Sequence, residues 1–479
     1  MPRPPTRYSG PALTALSARE AVALLSRGDV TPDALLEAAW ARMDAVEPAI
    51  NATVIRNKGW TLAQRARLPK PDGGRGWLAG LPVAIKDLIA VAGLPNTAGS
   101  AALADFVPDE NDALIDRLLA RGAVISGKTN TPEFGAGANT FNAVFGATRN
   151  PWDTGRNAGG SSGGSAAALA TGEAWLAHGS DLAGSLRTPA AFCGVVGLRT
   201  TPGRAGGAPP DTAFALEAVQ GPMARDIADT ALFLDAMTGF DARHPLSLEP
   251  PEEGFQAALT RNPGPMRIAF SEDQGGFAPV EAEIRTVLRQ AMTTAAGPGF
   301  TVEDACPVLP DLDRTYAVLR GLHYGAVLSK LPDAIRAEFK ETLAGNVAFA
   351  LTLSADAIFE AMRARTRIYH IMRRFLDNYD VLAIPVTGLA PGPVEEEYPR
   401  LVDGVPMGDY IEWLRFSFLA PTAMLPALSM PVGFTEAGMP VGVQLIGPPR
   451  GEARLLQVAA ALEARLGLPT GPIDPRTPG

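Results

Sequence analysis

Short apolar runs alternate with amphipathic segments along much of the chain. PVAIK (82–86) and AVISGK (123–128) are typical of buried strands, and the segment 111–121 between them has helical periodicity. Three further strands are predicted late in the chain, at YDVLAIPV, ALSMPVG and PVGVQLIG. This alternation of strands and helices favours an α/β fold with a mostly parallel sheet.

Helix-start signals support this organisation near the N-terminus. Ser17 followed by Glu20 has the capping-box pattern, and Thr31-Pro32 is typical of the first turn of a helix. No clean linker interrupts the chain, so residues 1–479 are predicted to form a single domain. Its core is expected in residues 80–240 and 380–470, with a variable helical region at about 300–378.

Composition narrows the class of protein. Of 479 residues, 46% are apolar and 19% are charged, as in folded soluble proteins, and the net charge of −9 disfavours polyanions such as nucleic acid. Only Cys193 and Cys306 occur, which fits a reducing compartment. We find neither a signal core nor an apolar run of about 18 residues. We therefore expect a cytoplasmic protein that binds neither nucleic acid nor membranes, with a homodimer left open.

A Gly- and Ser-rich segment, GGSSGGS (159–165), stands out between two ordered stretches. Its composition alone is that of a flexible linker, but a helix-forming run follows at 166–170. Phosphate-loop motifs are absent. GGSSG also fits the nucleophile-elbow pattern GxSxG, but the preceding NPWDTGRNA is not strand-like and no suitably late His outside a helix is present. A serine–serine–lysine site remains as the third interpretation.

The segments 159–165 and SDLAGSLRTPAAFCGVVGLRTTPGR (180–204) closely resemble the amidase signature family. Further blocks match that family in the same order: LPVAIKD, GKTNTPEF, FGATRNPWD, QGPMARDIADTALFLDAMTG and MPVGVQLIGPP. The resemblance covers nearly the whole chain and is weakest in about 245–375. It implies a mixed, mostly parallel central sheet covered by helices on both faces.

By motif, the resemblance implies that Lys86 is the catalytic base, Ser161 a bridging serine that relays the proton, and Ser185 the nucleophile. A solvated lysine cannot act as a base at neutral pH, but burial among apolar residues lowers its pKa. The chain has six lysines against thirty-six arginines, so a lysine in an apolar segment invites a chemical explanation. Two structural alternatives stay open: Lys86 pairs with Asp87, or Lys128 is the relevant lysine.

The resemblance also implies an oxyanion hole formed by backbone N–H groups. Its donors would be Leu182, Ala183, Gly184 and Ser185. Ala183 stands where the family usually has Gly, so the hole persists if the φ angle of Ala183 is negative. Gly135 is expected to line the acyl pocket, Ser162 to be a local hydrogen-bond partner, and Asp181 to form an ion pair with Arg187 that holds the loop. Ser185 has a structural alternative as a helix cap.

The resemblance implies hydrolysis of the C–N bond of a small-molecule carboxylic amide through an acyl-enzyme, without metal or organic cofactor. The alternative is a glutaminase subunit of a tRNA-dependent amidotransferase, although the segment after 204 is unlike that subfamily. A non-catalytic binding protein on the same scaffold is a second alternative. The acyl and amine pockets are expected from about 300–380 and 405–425, so the sequence leaves the identity of the amide open.

Overall fold

The computed structural model describes residues 6–207 and 212–477. Its strands are β1 (Thr53–Ile55), β2 (Pro82–Lys86), β3 (Val124–Thr129), β4 (Phe141–Asn142), β5 (Gly146–Ala147), β6 (Arg149–Asn150), β7 (Asp153–Asn157), β8 (Leu176–Asp181), β9 (Val196–Arg199), β10 (Val219–Ala224), β11 (Met266–Phe270), β12 (Phe300–Asp304), β13 (Val381–Pro385), β14 (Leu401–Val402), β15 (Val405–Pro406), β16 (Ala427–Phe434) and β17 (Pro440–Ile446).

The helices are α1 (Ala12–Ala15), α2 (Ala18–Arg27), α3 (Pro32–Ile50), α4 (Lys58–Arg65), α5 (Ala113–Ala120), α6 (Gly163–Thr171), α7 (Arg187–Cys193), α8 (Ile227–Met237), α9 (Phe255–Thr260), α10 (Ala282–Ala295), α11 (Leu312–Leu328), α12 (Asp333–Arg336), α13 (Glu341–Leu351), α14 (Ala355–Phe375), α15 (Leu419–Ala423) and α16 (Glu452–Leu466). Short 3-10 turns span Ala101–Leu103, Glu133–Gly135 and Glu412–Ser417. The capping box at Ser17 and the helix start at Pro32 are confirmed.

Eleven strands form one sheet in the order β1-β3-β2-β8-β10-β9-β16-β17-β13-β11-β12. The predicted α/β class with a mixed sheet is confirmed. Parallel pairing is confined to β3-β2-β8 and β13-β11-β12, and the other six neighbouring pairs are antiparallel. The sheet is therefore less parallel than expected. The short connection between β16 and β17 joins these two strands as a hairpin, which forces antiparallel pairing there.

Alternating side chains of β2 show how the sheet separates two apolar layers. Val83 and Ile85 belong to the larger core, whereas Ala84 belongs to a second core together with the alanines of α6. Helices cover both faces of the sheet, as predicted. Successive side chains of a strand point to opposite faces, so Lys86 lies on the same face as Ala84. That face leads to the loop before α6, where the Gly-Ser segment lies.

The start of α6 packs very closely on its neighbours. A Cβ atom on Gly164 would lie 2.4 Å from the backbone N of Asn130 and 2.7 Å from the carbonyl O of Ala52. Glycine is therefore required here for close backbone approach, and the Gly-Ser segment is an ordered turn rather than a linker. The residues before it also differ from the prediction, because 153–157 do form a strand. β7 pairs with β6 as a small polar hairpin outside the large sheet, and it also forms an antiparallel bridge from Arg156 to Pro393.

Within the described ranges, no single helix has the length and apolar composition needed to cross a membrane. Only α13 and α14 taken together meet that test, and they are bent by 99°. No group of three or more His, Cys, Asp or Glu side chains in the same ranges is arranged to hold a metal ion.

Candidate active site

Lys86 is the last residue of β2 and is fully buried. β2 and β8 are parallel neighbours, so their carboxyl ends meet at the same edge of the sheet. There the Lys86 amine donates hydrogen bonds to three hydroxyl groups: Ser161 Oγ at 2.6 Å, Ser162 Oγ at 3.0 Å and Ser180 Oγ at 3.0 Å. Three serines from two segments therefore surround one buried amine.

Burial lowers the pKa of Lys86 from its ordinary 10.5 to about 7, and the negative charge of Asp181 opposes part of this effect. No ion pair of Lys86 occurs in the part of the chain that the structure describes. Asp87 instead pairs with Lys128 at 2.6 Å, and both side chains are buried. Lys86 is therefore not paired with Asp87, and the Lys128 amine bonds to Asp87, Pro95 O and Asn96 Oδ1 instead of to the serines.

The loop that carries Ser161 is hydrogen-bonded directly to the segment that carries Ser185. The backbone N–H of Ser162 donates to the carbonyl O of Ser185 at 3.1 Å, and the Gly160–Ser161 peptide bond is cis. The described residues contain no hydrogen bond between Ser161 Oγ and Ser185 Oγ. In enzymes without substrate such catalytic bonds are often long and form only in the complex.

Ser185 precedes α7 and is 8% exposed. The N-cap residue of α7 is Leu186, without a side-chain capping bond, so the helix-cap alternative for Ser185 is wrong. Among the four predicted oxyanion donors, the N–H groups of Leu182, Ala183 and Ser185 have no acceptor within the described residues. Ala183 lies outside the left-handed region, as required.

Gly184 does not belong to the set of free oxyanion donors, contrary to the prediction. Its N–H donates to Asp181 Oδ1 at 3.0 Å and is therefore already bonded. Its φ angle is +90°, and a Cβ atom there would lie 2.3 Å from Ser417 Oγ. Gly184 thus shapes the turn, because only glycine adopts this backbone at low cost in so little space.

The predicted ion pair of Asp181 with Arg187 is present, at 2.8 Å between fully buried side chains. A second buried arginine, Arg199, lies 3.4 Å from the same oxygen. Burial alone would raise the pKa of Asp181, but the two guanidinium groups and the N–H of Leu186 hold it well below its ordinary value. A charged cluster beneath the loop therefore fixes the turn that presents Ser185.

Gly135, predicted to line the acyl pocket, and one buried histidine also lie near the same site. Gly135 lines a cavity together with Ser185, and a Cβ atom on Gly135 would lie 3.5 Å from Ser161 Oγ. His178 bonds to Gln220 Oε1 at 3.0 Å, and burial lowers its pKa to about 3, so its ring is neutral. His178 therefore does not take the place of a catalytic base.

Sequence reasoning missed several residues of the site. Ser180 contacts the Lys86 amine, and only the pairing of β8 with β2 could have indicated this. Arg320, Tyr324 and Tyr410 form the opposite wall of the cavity that holds Ser185. They fall in the regions expected to supply the substrate pockets, but no motif marks them.

Comparison with known proteins is consistent across sequence and structure. The sequence model of the Amidase family matches residues 34–456. An acylamidase of Rhodococcus erythropolis is 35% identical over 463 residues, which cover 94% of this chain and 95% of that protein. A glutamyl-tRNA(Gln) amidotransferase subunit of Moorella thermoacetica is 34% identical, covering 94% and 96%. The structure of a bacterial aryl acylamidase of the amidase signature enzymes has a TM-score of 0.86 at 27% identity, covering 94% and 96%.

Proposed function

This chain belongs to the Amidase family, and from that premise we propose that it hydrolyses a carboxylic amide through an acyl-enzyme on Ser185. Lys86 is the base and Ser161 the proton relay. The observation that carries the proposal is the 2.6 Å hydrogen bond between the buried Lys86 amine and Ser161 Oγ. An amine whose pKa burial has lowered to about 7 is available as a base at neutral pH.

In the proposed acylation step, neutral Lys86 takes the proton of Ser161, and Ser161 takes the proton of Ser185. Ser185 Oγ then bonds to the carbonyl carbon of the amide. The free N–H groups of Leu182 and Ala183 stabilise the negative charge on the carbonyl oxygen. A fixed donor of this kind contributes about 2.7–4 kcal/mol in comparable enzymes.

The C–N bond then breaks, and the departing amine receives its proton through Ser161. Water repeats the sequence: it loses a proton to the Ser161–Lys86 pair, bonds to the acyl carbon and releases Ser185 and the carboxylic acid. Asp181 positions the loop through Arg187 and the N–H of Gly184. Since Asp181 stays ionised, it takes no part in proton transfer.

The test is hydrolysis of a panel of amides that differ in acyl size, with wild-type protein, Ser185→Ala and a matched control. Ser126→Ala is suitable as the control because the Ser126 side chain is also buried, and within the described residues its hydroxyl bonds only to the carbonyl O of Val83. We expect Ser185→Ala to lose both hydrolysis and labelling by a fluorophosphonate, and Ser126→Ala to keep both. Labelling of Ser185→Ala at the wild-type rate would contradict the proposal.

A glutaminase subunit of a tRNA-dependent amidotransferase is the second candidate, because the Moorella thermoacetica relative is named as part of a glutamyl-tRNA(Gln) amidotransferase. The two functions differ in what the isolated chain does. We expect steady hydrolysis of simple amides by the isolated chain, without a requirement for glutamine or partner chains. Activity restricted to glutamine and dependent on partner chains and tRNA would favour the second candidate.

A further inference from the structure

The cavity beside Ser185 has an unusual wall. Besides the loop residues Leu182 and Ala183, it is lined by the side chains of Arg320, Tyr324 and Tyr410. Its unfilled space, counted together with space that is open to solvent, is about 270 Å³. A molecule that reaches Ser185 in this cavity is therefore small and also meets Arg320.

Arg320 is a buried cation without a counter-charge. It is 3% exposed, and it forms no ion pair within the described residues. Its Nη2 donates to the hydroxyl of Tyr410, whereas Nε and Nη1 have no hydrogen-bond partner there. A buried charge is costly unless it is paired, so such a side chain points to a ligand that supplies the missing partner.

Two aromatic rings hold the guanidinium in place. Its Cζ lies 4.4 Å from the ring centroid of Tyr324 and 5.4 Å from that of Tyr410. The hydroxyl of Tyr410 accepts bonds from Arg320 and from Asn346, so its own hydrogen is left for a further acceptor. A rigid guanidinium and a phenol hydrogen thus face one cavity, and both are donors.

The tyrosines do not neutralise Arg320. Burial raises the pKa of Tyr410 to about 12 and also raises the pKa of Tyr316, a further buried phenol near the guanidinium. Both are therefore neutral at pH 7. The wall keeps a net positive charge, which selects an anion with acceptor oxygens.

We propose that Arg320, assisted by the hydroxyl of Tyr410, binds a carboxylate carried by the substrate, so that the enzyme acts on small amides that are also carboxylates. This inference rests on the proposed amide hydrolysis at Ser185. Arginine suits the role because its planar donors match the two oxygens of a carboxylate. The scissile carbonyl and the carboxylate belong to one small molecule, since both protein groups line the same small cavity.

The carboxylate can lie on the acyl part or on the amine part of such an amide, and two substrate pairs separate these sources. Glutaramate against valeramide tests the acyl part, and N-acetylglycine against N-ethylacetamide tests the amine part. In each pair a methyl group replaces the carboxylate. We expect wild-type protein to have the higher kcat/KM on the anionic member of one pair. A preference for the neutral member in both pairs would overturn the inference.

The variants Arg320→Met and Arg320→Lys test the residue itself. Loss of one or two charge-assisted hydrogen bonds predicts a fall in kcat/KM of about 10- to 150-fold for the anionic amide with Arg320→Met. The neutral amide should change by less than about threefold, and Arg320→Lys should recover part of the loss. Arg314→Gln is the matched control, because Arg314 lies exposed on the same helix, outside the cavity. Equal losses on both amides would assign Arg320 a structural role and overturn the inference.

A binding measurement separates this inference from the proposed function. Glutarate and succinate are titrated calorimetrically into Ser185→Ala protein, with and without Arg320→Met. Binding that Arg320→Met abolishes supports the carboxylate site, even if wild-type protein hydrolyses no amide and the proposed function fails. Hydrolysis of neutral amides without any dicarboxylate binding would overturn the carboxylate site and leave the proposed function standing.

Discussion

Replacing Lys86 by Met is the sharpest perturbation of the proposed mechanism. Methionine is similar in length but can neither accept a proton nor bond to Ser161, Ser162 and Ser180. General-base catalysis contributes about 10²- to 10⁴-fold to a rate, so we expect kcat to fall by that factor in Lys86→Met. Substrate binding should change little, because the amine lies beneath the serines rather than in the cavity wall.

The same reasoning predicts the pH dependence of the wild-type protein. With a pKa of about 7, half of the Lys86 amines are neutral at pH 7. With the ordinary value, only about 1 in 3,000 would be neutral. We therefore expect kcat/KM to fall about tenfold per pH unit below 7 and to level off above it.

Stability should depend on pH in a related way. The difference between 10.5 and about 7 corresponds to about 5 kcal/mol in favour of the neutral amine in the folded protein. Because the folded pKa is the lower one, this contribution is complete above pH 10.5 and is lost as pH falls through 7. Relative to Lys86→Met, wild-type protein should therefore gain stability as pH rises from 7 to 10.5.

The assays are kcat/KM from pH 5 to 9 on one amide, the rate of fluorophosphonate labelling over the same range, and urea unfolding at several pH values. Labelling needs no knowledge of the natural substrate. The reasoning would be refuted by a rate that rises only near pH 10, or by Lys86→Met protein that is labelled as fast as wild-type protein.

Three further predictions concern the neighbourhood of the site. Asp181→Asn should lower the free energy of unfolding by about 3–5 kcal/mol, since it leaves the buried Arg187 without its partner. It should also move the acidic limb of the pH–rate profile below pH 7, because the charge of Asp181 raises the pKa of Lys86. Denaturant titration checks the first effect, and kinetics check the second. Gly184→Ala should lower the free energy of unfolding by about 1–3 kcal/mol from its positive φ alone. The added Cβ would also clash with Ser417 Oγ and lower kcat. An unchanged kcat would count against the turn geometry. Burial raises the pKa of Glu173 well above its ordinary value, so the stabilising effect of the protonated Glu173 is complete below pH 4.5 and is lost as pH rises through the folded pKa. Glu173→Gln should therefore gain stability relative to wild-type protein between pH 5 and pH 9. Urea unfolding at these two pH values measures the gain.

The sequence by itself determined the elements and the family. Apolar periodicity located β2, β3, β13, β16 and β17, and capping residues located the start of α2. These signals are local, because strand alternation and helix caps depend on residues a few positions apart. The ordered motif blocks identified the family for a similar reason, since each is a short contiguous segment.

Apart from the predicted Asp181–Arg187 pair, only the tertiary structure decided which charged and polar groups of the site are paired. Asp87 follows Lys86 directly, yet it pairs with Lys128 from the neighbouring strand. Gly184 is next to Ser185, yet its N–H is bonded to Asp181. Arg320 lies in no motif, and only the packing of α11 beside the Ser185 loop shows that Nε and Nη1 of this arginine have no hydrogen-bond partner among the described residues. Burial and pairing depend on residues far apart in sequence, so the electrostatics of the site follow from packing and not from local pattern.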